Sequence, residues 1–267
     1  MKLGFIGVGH MGGALARAAA AVIPPCDLLL ANRSPEKAEA LARELGAQTA
    51  SNAAIAAQCD YLFLGVKPQM TADMLAEIAP VLAGRKTPFV LVSMAAGLTA
   101  ASIAQMAGGN YPVIRIMPNT PVSVGEGLIL YAAGSAVTKE QLAEFLRVMA
   151  KGGRLDPLPE HLIDAGSAVS GCGPAFADLF MEALADGGVA CGLPRAKAQL
   201  YAAQMLLGSA RLLLESGEHP GVLKDAVCSP GGTTIAGVRT LEDGGFRAST
   251  MEAVIAAYEK TLELKKN

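Results

Sequence analysis

The sequence predicts an α/β domain with a doubly wound, mostly parallel sheet, followed by an all-α domain. Up to about residue 160, short apolar runs alternate with longer amphipathic segments, and a glycine-rich turn follows the first run. After Pro157 and Pro159 the strand-like runs stop. Such alternation is typical of βαβ units whose strands are buried on both faces. We therefore expect a first domain over residues 1–160 and a helical second domain over residues 161–267.

Five apolar runs, each bounded by turn residues, are predicted to be strands: KLGFIG, DLLLAN, YLFLGV, FVLVSM and PVIRI. In the second domain, glycine and proline mark the ends of amphipathic segments. Helices are predicted there over residues 173–191, 194–216, 233–242 and 245–264.

The composition indicates a globular protein, because 52% of the 267 residues are hydrophobic and 17% are charged. A net charge of −2 provides no broad basic field for nucleic acid, and no run of lysine or arginine suggests an anionic membrane. The first residues lack the apolar stretch and cleavage site of a signal peptide, so we expect a soluble, cytoplasmic protein. Five scattered cysteines without metal-ligand spacing predict reduced thiols and no metal site.

The segment GVGHMG fits the pattern G-x-G-x-x-G directly after the first predicted strand and before a helix. In a dinucleotide site of the Rossmann type, Gly7 would allow the tight turn, Gly9 the approach of a pyrophosphate, and Gly12 the close packing of helix on strand. The backbone N–H groups at the helix start would then face the phosphates. The alternative is an ordinary glycine-rich turn. The candidate cofactor residues in this loop are Gly7, Val8, Gly9, His10, Met11 and Gly12.

The end of the second predicted strand indicates the type of dinucleotide. An NAD site has an Asp or Glu there to bind the ribose 2′-hydroxyl, whereas this chain has ANRSP. Arg33 and Ser34, next to Asn32, are suited to a 2′-phosphate, so NADPH is favoured and NADH is the alternative. Ser34 and Pro35 also suit a helix start, with Ser34 as the cap, and the two roles are compatible.

Ligands of open α/β sheets lie beyond the carboxyl ends of the strands, which directs attention to VKPQ, SMAAG and RIMPNTP. The small residues in SMAAG leave room for a flat ring. Lys67 is either a general acid or, as we favour, the edge of the nicotinamide pocket, because a residue before proline is held extended. The further cofactor candidates are Asn52, Val66, Lys67, Pro68, Met94, Ala95, Ala96 and Asn119.

The chain as a whole resembles the pyrroline-5-carboxylate reductase family. The resemblance is carried by GVGHMG, VKPQ, RIMPNTP, SGCGPAF, DGGVACGLPR and, most specifically, HPGVLKDAVCSPGGTTIAGVRTLEDGGFR over residues 219–247. It implies a Rossmann domain followed by a helical dimerisation domain. It also implies reduction of the cyclic imine 1-pyrroline-5-carboxylate to L-proline by NAD(P)H, the last step of proline biosynthesis. We expect a homodimer and leave open whether dimers assemble further, since apolar helix faces such as AQLYAAQMLLGSARLLL exceed what the second domain buries alone.

In the stretch SPGGTTIAGV a helix is predicted to begin after two glycines flanked by hydroxyl residues. The N–H groups of a helix N-terminus are unpaired and suit the carboxylate of the substrate, and Gly231 and Gly232 would leave room for its close approach. A Ser/Thr-capped helix start is the alternative, although capping needs no paired glycines. The substrate candidates are Ser229, Gly231, Gly232, Thr233 and Thr234. The resemblance implies a Thr at the position of Thr234, our catalytic candidate, whose hydroxyl would bond the imine nitrogen.

Two residues depart from the resemblance, because Cys172 and Phe176 stand where the family commonly has Ser and Tyr. Two other kinds of function compete. β-Hydroxyacid dehydrogenases use a Lys base in the corresponding helix, but PAFADLFMEALADGGVA contains no Lys. A dinucleotide sensor without activity would not oxidise NADPH with the imine.

Overall fold

A computed structural model describes residues 1–264 of the chain, which form one eight-stranded sheet and twelve α-helices. The strands are β1 (Leu3–Ile6), β2 (Leu28–Ala31), β3 (Gln48–Thr49), β4 (Tyr61–Leu64), β5 (Val90–Ser93), β6 (Val113–Pro118), β7 (Gly127–Ala133) and β8 (Gly153–Pro157). The helices are α1 (His10–Ala20), α2 (Pro35–Leu45), α3 (Asn52–Gln58), α4 (Pro68–Ala83), α5 (Ala100–Met106), α6 (Lys139–Met149), α7 (Ile163–Ser170), α8 (Gly173–Ala190), α9 (Arg195–Ser216), α10 (Pro220–Ala226), α11 (Thr233–Asp243) and α12 (Phe246–Leu264).

The strand order is β3-β2-β1-β4-β5-β6-β7-β8, and all neighbours are parallel except the antiparallel pair of β6 and β7. The order reverses between β1 and β4, which lie side by side with Ile6 opposite Leu64. The carboxyl ends of these two strands therefore form the switch point at which open α/β sheets bind ligands. The predicted doubly wound, mostly parallel sheet is confirmed.

Both faces of the sheet are buried. Successive side chains of a strand point to opposite sides and so enter two different apolar clusters. On one face Phe5 and Phe63 stack with their ring centroids 4.4 Å apart. On the other face Ile6, Leu62 and Leu64 pack against the apolar side of α4. Complete burial explains why these strands appear in the sequence as continuous apolar runs.

Three strands were not among the five predicted runs. β3 has only two residues. β7 returns antiparallel to β6 after a short 3₁₀ turn, and β8 then adds at the sheet edge. The β8 sequence GRLDP has exposed or half-buried residues throughout, so it lacks the apolar character that identified the central strands.

Contacts divide the chain into two compact units. The N-terminal unit comprises Met1–Cys172 and the end of α12 from Ala257, and the helical unit comprises Gly173–Ala256. This division falls later in the chain than the boundary at residue 160 expected from the sequence. The reason is α7, whose Ile163 is fully buried in a cluster with Met117 and Leu130 of the sheet.

The helical unit has the four predicted helices within one or two residues of their expected bounds, and also the unpredicted short helix α10. Its buried apolar side chains are the alanines 185, 198 and 202. Phe180 and Phe246, with ring centroids 5.6 Å apart, lie in an open apolar groove of about 570 Å³. Among residues 1–264, no helix combines the length and the apolar character needed to cross a bilayer.

Candidate active site

The glycine loop between β1 and α1 has the close packing that its sequence predicts. Gly7 has a positive φ of 96°, and a Cβ built on it would lie 2.6 Å from the carbonyl carbon of Gly65 at the end of β4. A Cβ on Gly12 would lie 2.1 Å from the carbonyl oxygen of Gly7. At Gly9, by contrast, a Cβ would meet no atom within 4 Å. Gly7 and Gly12 are therefore required by the fold, whereas Gly9 leaves open space in front of the N-terminus of α1.

The end of β2 is bound to this loop by Asn32. The Val8 N–H donates to Asn32 Oδ1 at 3.1 Å, and Asn32 Nδ2 donates to the carbonyl oxygen of Ser34 at 3.1 Å. The Asn32 side chain therefore holds the loop before α2 beside the glycine loop. Its amide is occupied in positioning backbone, which the sequence alone did not indicate.

A cluster of polar and cationic side chains follows Asn32. Ser34 is the N-cap residue of α2 and Pro35 follows at its first position, but the Ser34 hydroxyl makes no capping hydrogen bond. Arg33 is exposed and lies against α4, with Nη1 3.9 Å from Met70 Sδ. Lys37 is the third residue of α2 and lines the same cleft. Two cations and a free hydroxyl at a helix N-terminus are suited to bind a phosphate.

These side chains line a cleft of about 660 Å³ between the ends of β1 and β4 and helix α4, within the size range of cofactor sites. Helix α4 forms one wall through Met70, Asp73 and Glu77, and Asn52 at the start of α3 donates to Glu77 Oε2 at 3.0 Å. The lining residues are Ile6, Gly7, Gly9, Asn32, Arg33, Ser34, Lys37, Asn52, Gly65, Val66, Lys67, Met70, Asp73, Met74 and Glu77. The cleft thus brings eight of the predicted cofactor residues together.

Predicted cofactor residues outside the cleft lining lie around the same strand ends, next to Lys67 of the lining. His10 is exposed at the first position of α1, and Met11 is half-buried against the core. Lys67 is an exposed, extended residue that precedes α4, and Pro68 is the first residue of that helix. The extended backbone of Lys67 is the conformation predicted for a residue before proline.

Beyond β5, Met94 is half-buried, Ala95 is buried and Ala96 is exposed. Asn119 follows β6 and has a backbone-holding role, because its Oδ1 accepts from Leu128 N at 2.8 Å and its Nδ2 donates to Ser170 O at 3.0 Å. A cofactor contact of Asn119 stays a prediction.

In the helical unit, the predicted substrate loop joins α10 to α11. Gly231 has a positive φ of 68°, and Gly232 N donates to Ser229 O at 3.0 Å in a tight turn. The first N–H groups of a helix have no intrahelical acceptor. Gly232 is the N-cap residue of α11, and no side chain caps these groups. Thr233 and Thr234 occupy its first two positions, and both are exposed.

The two glycines of this loop have different surroundings, and their role in making room for a ligand stays a prediction. A Cβ on Gly231 would meet no atom within 4 Å, but one on Gly232 would lie 2.4 Å from Ser229 Oγ. A side chain at position 232 would therefore displace the Ser229 hydroxyl, which lies beside the helix start.

Sequence reasoning missed seven of the fifteen lining residues: Ile6, Lys37, Gly65, Met70, Asp73, Met74 and Glu77. Five of them lie on helices, with Lys37 in the first turn of α2 and the other four along one face of α4. Only the sheet topology places that face opposite the end of β2.

A doubly wound domain with an open glycine loop and a cleft lined by two cations is typical of an oxidoreductase of the dinucleotide-binding class. Residues 2–97 match the family model described as NADP oxidoreductase, coenzyme F420-dependent, and residues 160–264 match the one described as pyrroline-5-carboxylate reductase dimerisation. The pyrroline-5-carboxylate reductase of Escherichia coli strain K12 is 41% identical, covering 100% of this chain and 99% of that relative. That of Arabidopsis thaliana is 40% identical, with coverages of 100% and 96%. The chain belongs to the pyrroline-5-carboxylate reductase family.

Solved structures agree with this assignment. The Plasmodium falciparum pyrroline carboxylate reductase with NADP bound superposes with a TM-score of 0.89 at 32% identity, covering 99% of this chain and 98% of that one. The Coxiella burnetii pyrroline-5-carboxylate reductase also gives 0.89 at 32% identity, with coverages of 100% and 99%. The Rossmann domain followed by helices, and the family predicted from the sequence, are confirmed.

Proposed function

We propose that the protein catalyses the NADPH-dependent reduction of 1-pyrroline-5-carboxylate to L-proline, the last step of proline biosynthesis. Family membership over the whole chain carries this proposal. The cleft supports the cofactor, because Gly9 leaves space for a pyrophosphate, and Arg33, Ser34 and Lys37 offer two charges and a hydroxyl to a 2′-phosphate. NADH is the alternative donor.

When bound, the reduced nicotinamide supplies the hydride. In our proposal, the residues after β4 and β5, including Val66, Lys67 and Ala95, border the nicotinamide ring. The small side chains after β5 admit a flat ring beside the strand ends. For Lys67 we propose this bordering role rather than that of a proton donor.

The Ser-Pro-Gly-Gly loop is proposed to bind the imine. The unpaired N–H groups at the start of α11 receive the carboxylate, with which they form charge-assisted hydrogen bonds. The Thr234 hydroxyl bonds the imine nitrogen, as an acceptor from an iminium N–H or as a donor to a neutral imine. A Thr hydroxyl is too weak an acid to be the final proton source, so the proposed role of Thr234 is to orient the nitrogen.

The active form is proposed to be a homodimer formed through the helical unit. Three buried alanines do not make a core for residues 173–256, while Leu179, Leu214 and Met251 are more than half exposed. A second copy that covers the apolar groove supplies the missing burial. Sedimentation of the full chain measures both the dimer and any assembly of dimers.

For the compartment we propose the cytoplasm, since scattered cysteines without disulfide spacing suit a reducing environment. The function is tested by following NADPH absorbance in a steady-state assay with 1-pyrroline-5-carboxylate and by identifying proline as the product. The same assay with NADH gives the cofactor preference. Binding of NADPH without turnover would contradict the proposal and support the sensor instead.

A further inference from the structure

The hydrogen bond between Asn52 and Glu77 connects helices α3 and α4 at the cleft. Asn52 is half-buried at the first position of α3, and Glu77 is exposed on α4. The 3.0 Å bond runs from Asn52 Nδ2 to Glu77 Oε2, and both residues line the cleft. Neither residue belongs to the glycine loop or to the segment that follows β2.

The carboxylate of Glu77 determines the orientation of the Asn52 amide. An ionised carboxylate has no hydrogen to donate, so Asn52 must present its NH₂ group to Glu77. The Asn52 carbonyl oxygen and its second N–H are then directed away from Glu77. Glu77 keeps the lone pairs of its other oxygen. A carboxylate oxygen beside an amide N–H is a receptor for a hydroxyl group, which both donates and accepts.

The charges of the cleft are mixed. Arg33 and Lys37 extend from the β2 side, whereas Asp73 and Glu77 extend from α4. Within residues 1–264, Glu77 forms no ion pair with a lysine or arginine, and its hydrogen-bond partner is the neutral amide of Asn52. A site for a 2′-phosphate alone has no use for an uncompensated carboxylate, because a phosphate dianion is repelled by it.

We propose that Glu77, acting with Asn52, is a determinant of the choice between NADPH and NADH. The pair receives a ribose hydroxyl, and the Glu77 charge offsets part of the attraction that Arg33 and Lys37 exert on a 2′-phosphate. The inference rests on the proposed use of NAD(P)H. It deepens that function, because it predicts that a cleft with two cations keeps some affinity for the unphosphorylated cofactor.

The test uses the full chain and the variant Glu77→Gln, which removes the charge but keeps an oxygen that accepts from Asn52. Binding of 2′,5′-ADP and 5′-AMP is measured by titration calorimetry at low salt. We expect the ratio of affinities to shift toward 2′,5′-ADP by roughly twofold to fivefold, the size of an exposed charge interaction. At about 0.5 M salt the shift should shrink, because exposed charges are screened.

Asp73→Asn is the matched control, since it removes a carboxylate from the same helix face without touching Asn52. We expect a smaller shift in the affinity ratio than Glu77→Gln produces. Asn52→Ala should weaken 5′-AMP more than 2′,5′-ADP.

An unchanged ratio in Glu77→Gln, or equal weakening of both ligands, would overturn the proposal. An equal shift in Asp73→Asn would overturn it too, because the effect would belong to the overall charge of α4. These ligands bind without an imine, so the outcome is independent of whether 1-pyrroline-5-carboxylate is the substrate.

Discussion

Arg115 on β6 forms a buried ion pair with Asp164 on α7, with 2.6 Å between Arg115 Nη2 and Asp164 Oδ1 and side chains 1% and 2% exposed. The neighbouring Glu160 accepts a hydrogen bond from Ala100 N, the first residue of α5, at 2.6 Å. These contacts attach α7 and the turn before it to the sheet and to the helix that follows the SMAAG loop. They explain why the compact N-terminal unit extends beyond residue 160.

Replacing Asp164 by Ala should lower the free energy of unfolding by about 3–5 kcal/mol, because it leaves the Arg115 charge buried without its partner. Urea unfolding at fixed protein concentration measures the loss. Glu215→Ala, which breaks the exposed pair with Arg211, is the control and should barely move the midpoint. A similar midpoint for both variants would mean that the buried pair does not stabilise the sheet attachment.

Arg33→Ala should raise the KM for NADPH while leaving that for NADH nearly unchanged. Loss of one charge-assisted contact to the 2′-phosphate should cost about 1.5–3 kcal/mol of binding free energy. Lys37→Ala should act in the same direction, because Lys37 lines the same part of the cleft. Steady-state kinetics with both cofactors is the measurement, and equal effects on the two would contradict 2′-phosphate binding by these side chains.

Thr234→Ala should slow hydride transfer more than it weakens imine binding, since it removes the hydroxyl but leaves the N–H groups of α11 in place. If the bond to nitrogen strengthens as amine character develops, its loss should raise the barrier to hydride transfer by about 1.5–3 kcal/mol. The rate should then fall roughly tenfold to a hundredfold. Single-turnover NADPH absorbance measures the step. Thr234→Ser should recover most of the rate. An unchanged rate in Thr234→Ala would mean that its hydroxyl does not bond the imine nitrogen and that the residue only occupies the start of its helix.

Gly232→Val should act chiefly on affinity for the imine. Any Cβ at this position would lie 2.4 Å from Ser229 Oγ, so the substitution displaces the Ser229 hydroxyl as well as crowding the helix start. We expect a raised KM for the imine with the KM for NADPH unchanged. A variant with normal KM for the imine would argue against a carboxylate at this N-terminus.

The dimer proposal predicts that thermal unfolding depends on protein concentration, because dissociation and unfolding of the helical unit are coupled. Differential scanning calorimetry over a range of concentrations measures the midpoint. Phe180→Asp, in the apolar groove, should shift the sedimentation coefficient toward the monomer. Active, folded monomer in a dilute sample would contradict the proposal.

Cys59 should resist thiol reagents in the folded protein. It is fully buried between β1 and α3, and this burial raises the pKa of its thiol to about 12, so it is protonated at pH 8. Cys26 and Cys191 are exposed and provide internal controls. Labelling with a chromogenic disulfide at pH 8, before and after denaturation, counts the protected thiols. Rapid labelling of Cys59 without denaturant would mean that this face of the sheet opens readily.

The five central strands, the long helices of the second unit and the positions of the glycine loop and the substrate loop could be predicted from the sequence alone. Buried parallel strands are continuous apolar runs, and glycine, serine and proline mark turns and helix starts through local backbone preferences. Such signals act over a few residues, so they can be identified from the sequence without knowledge of the tertiary structure. The family resemblance was readable for the same reason, because its motifs are contiguous.

Which helix face lines the cleft, and which polar groups meet there, depends on the three-dimensional packing of the chain. The Asn52–Glu77 bond and the Arg115–Asp164 pair join residues far apart in sequence, and strand order alone brings them together. At short range, the position of Ser229 Oγ, 2.4 Å from where a Cβ on Gly232 would lie, likewise comes only from the structure. Packing distances set these relationships, and no local propensity encodes them.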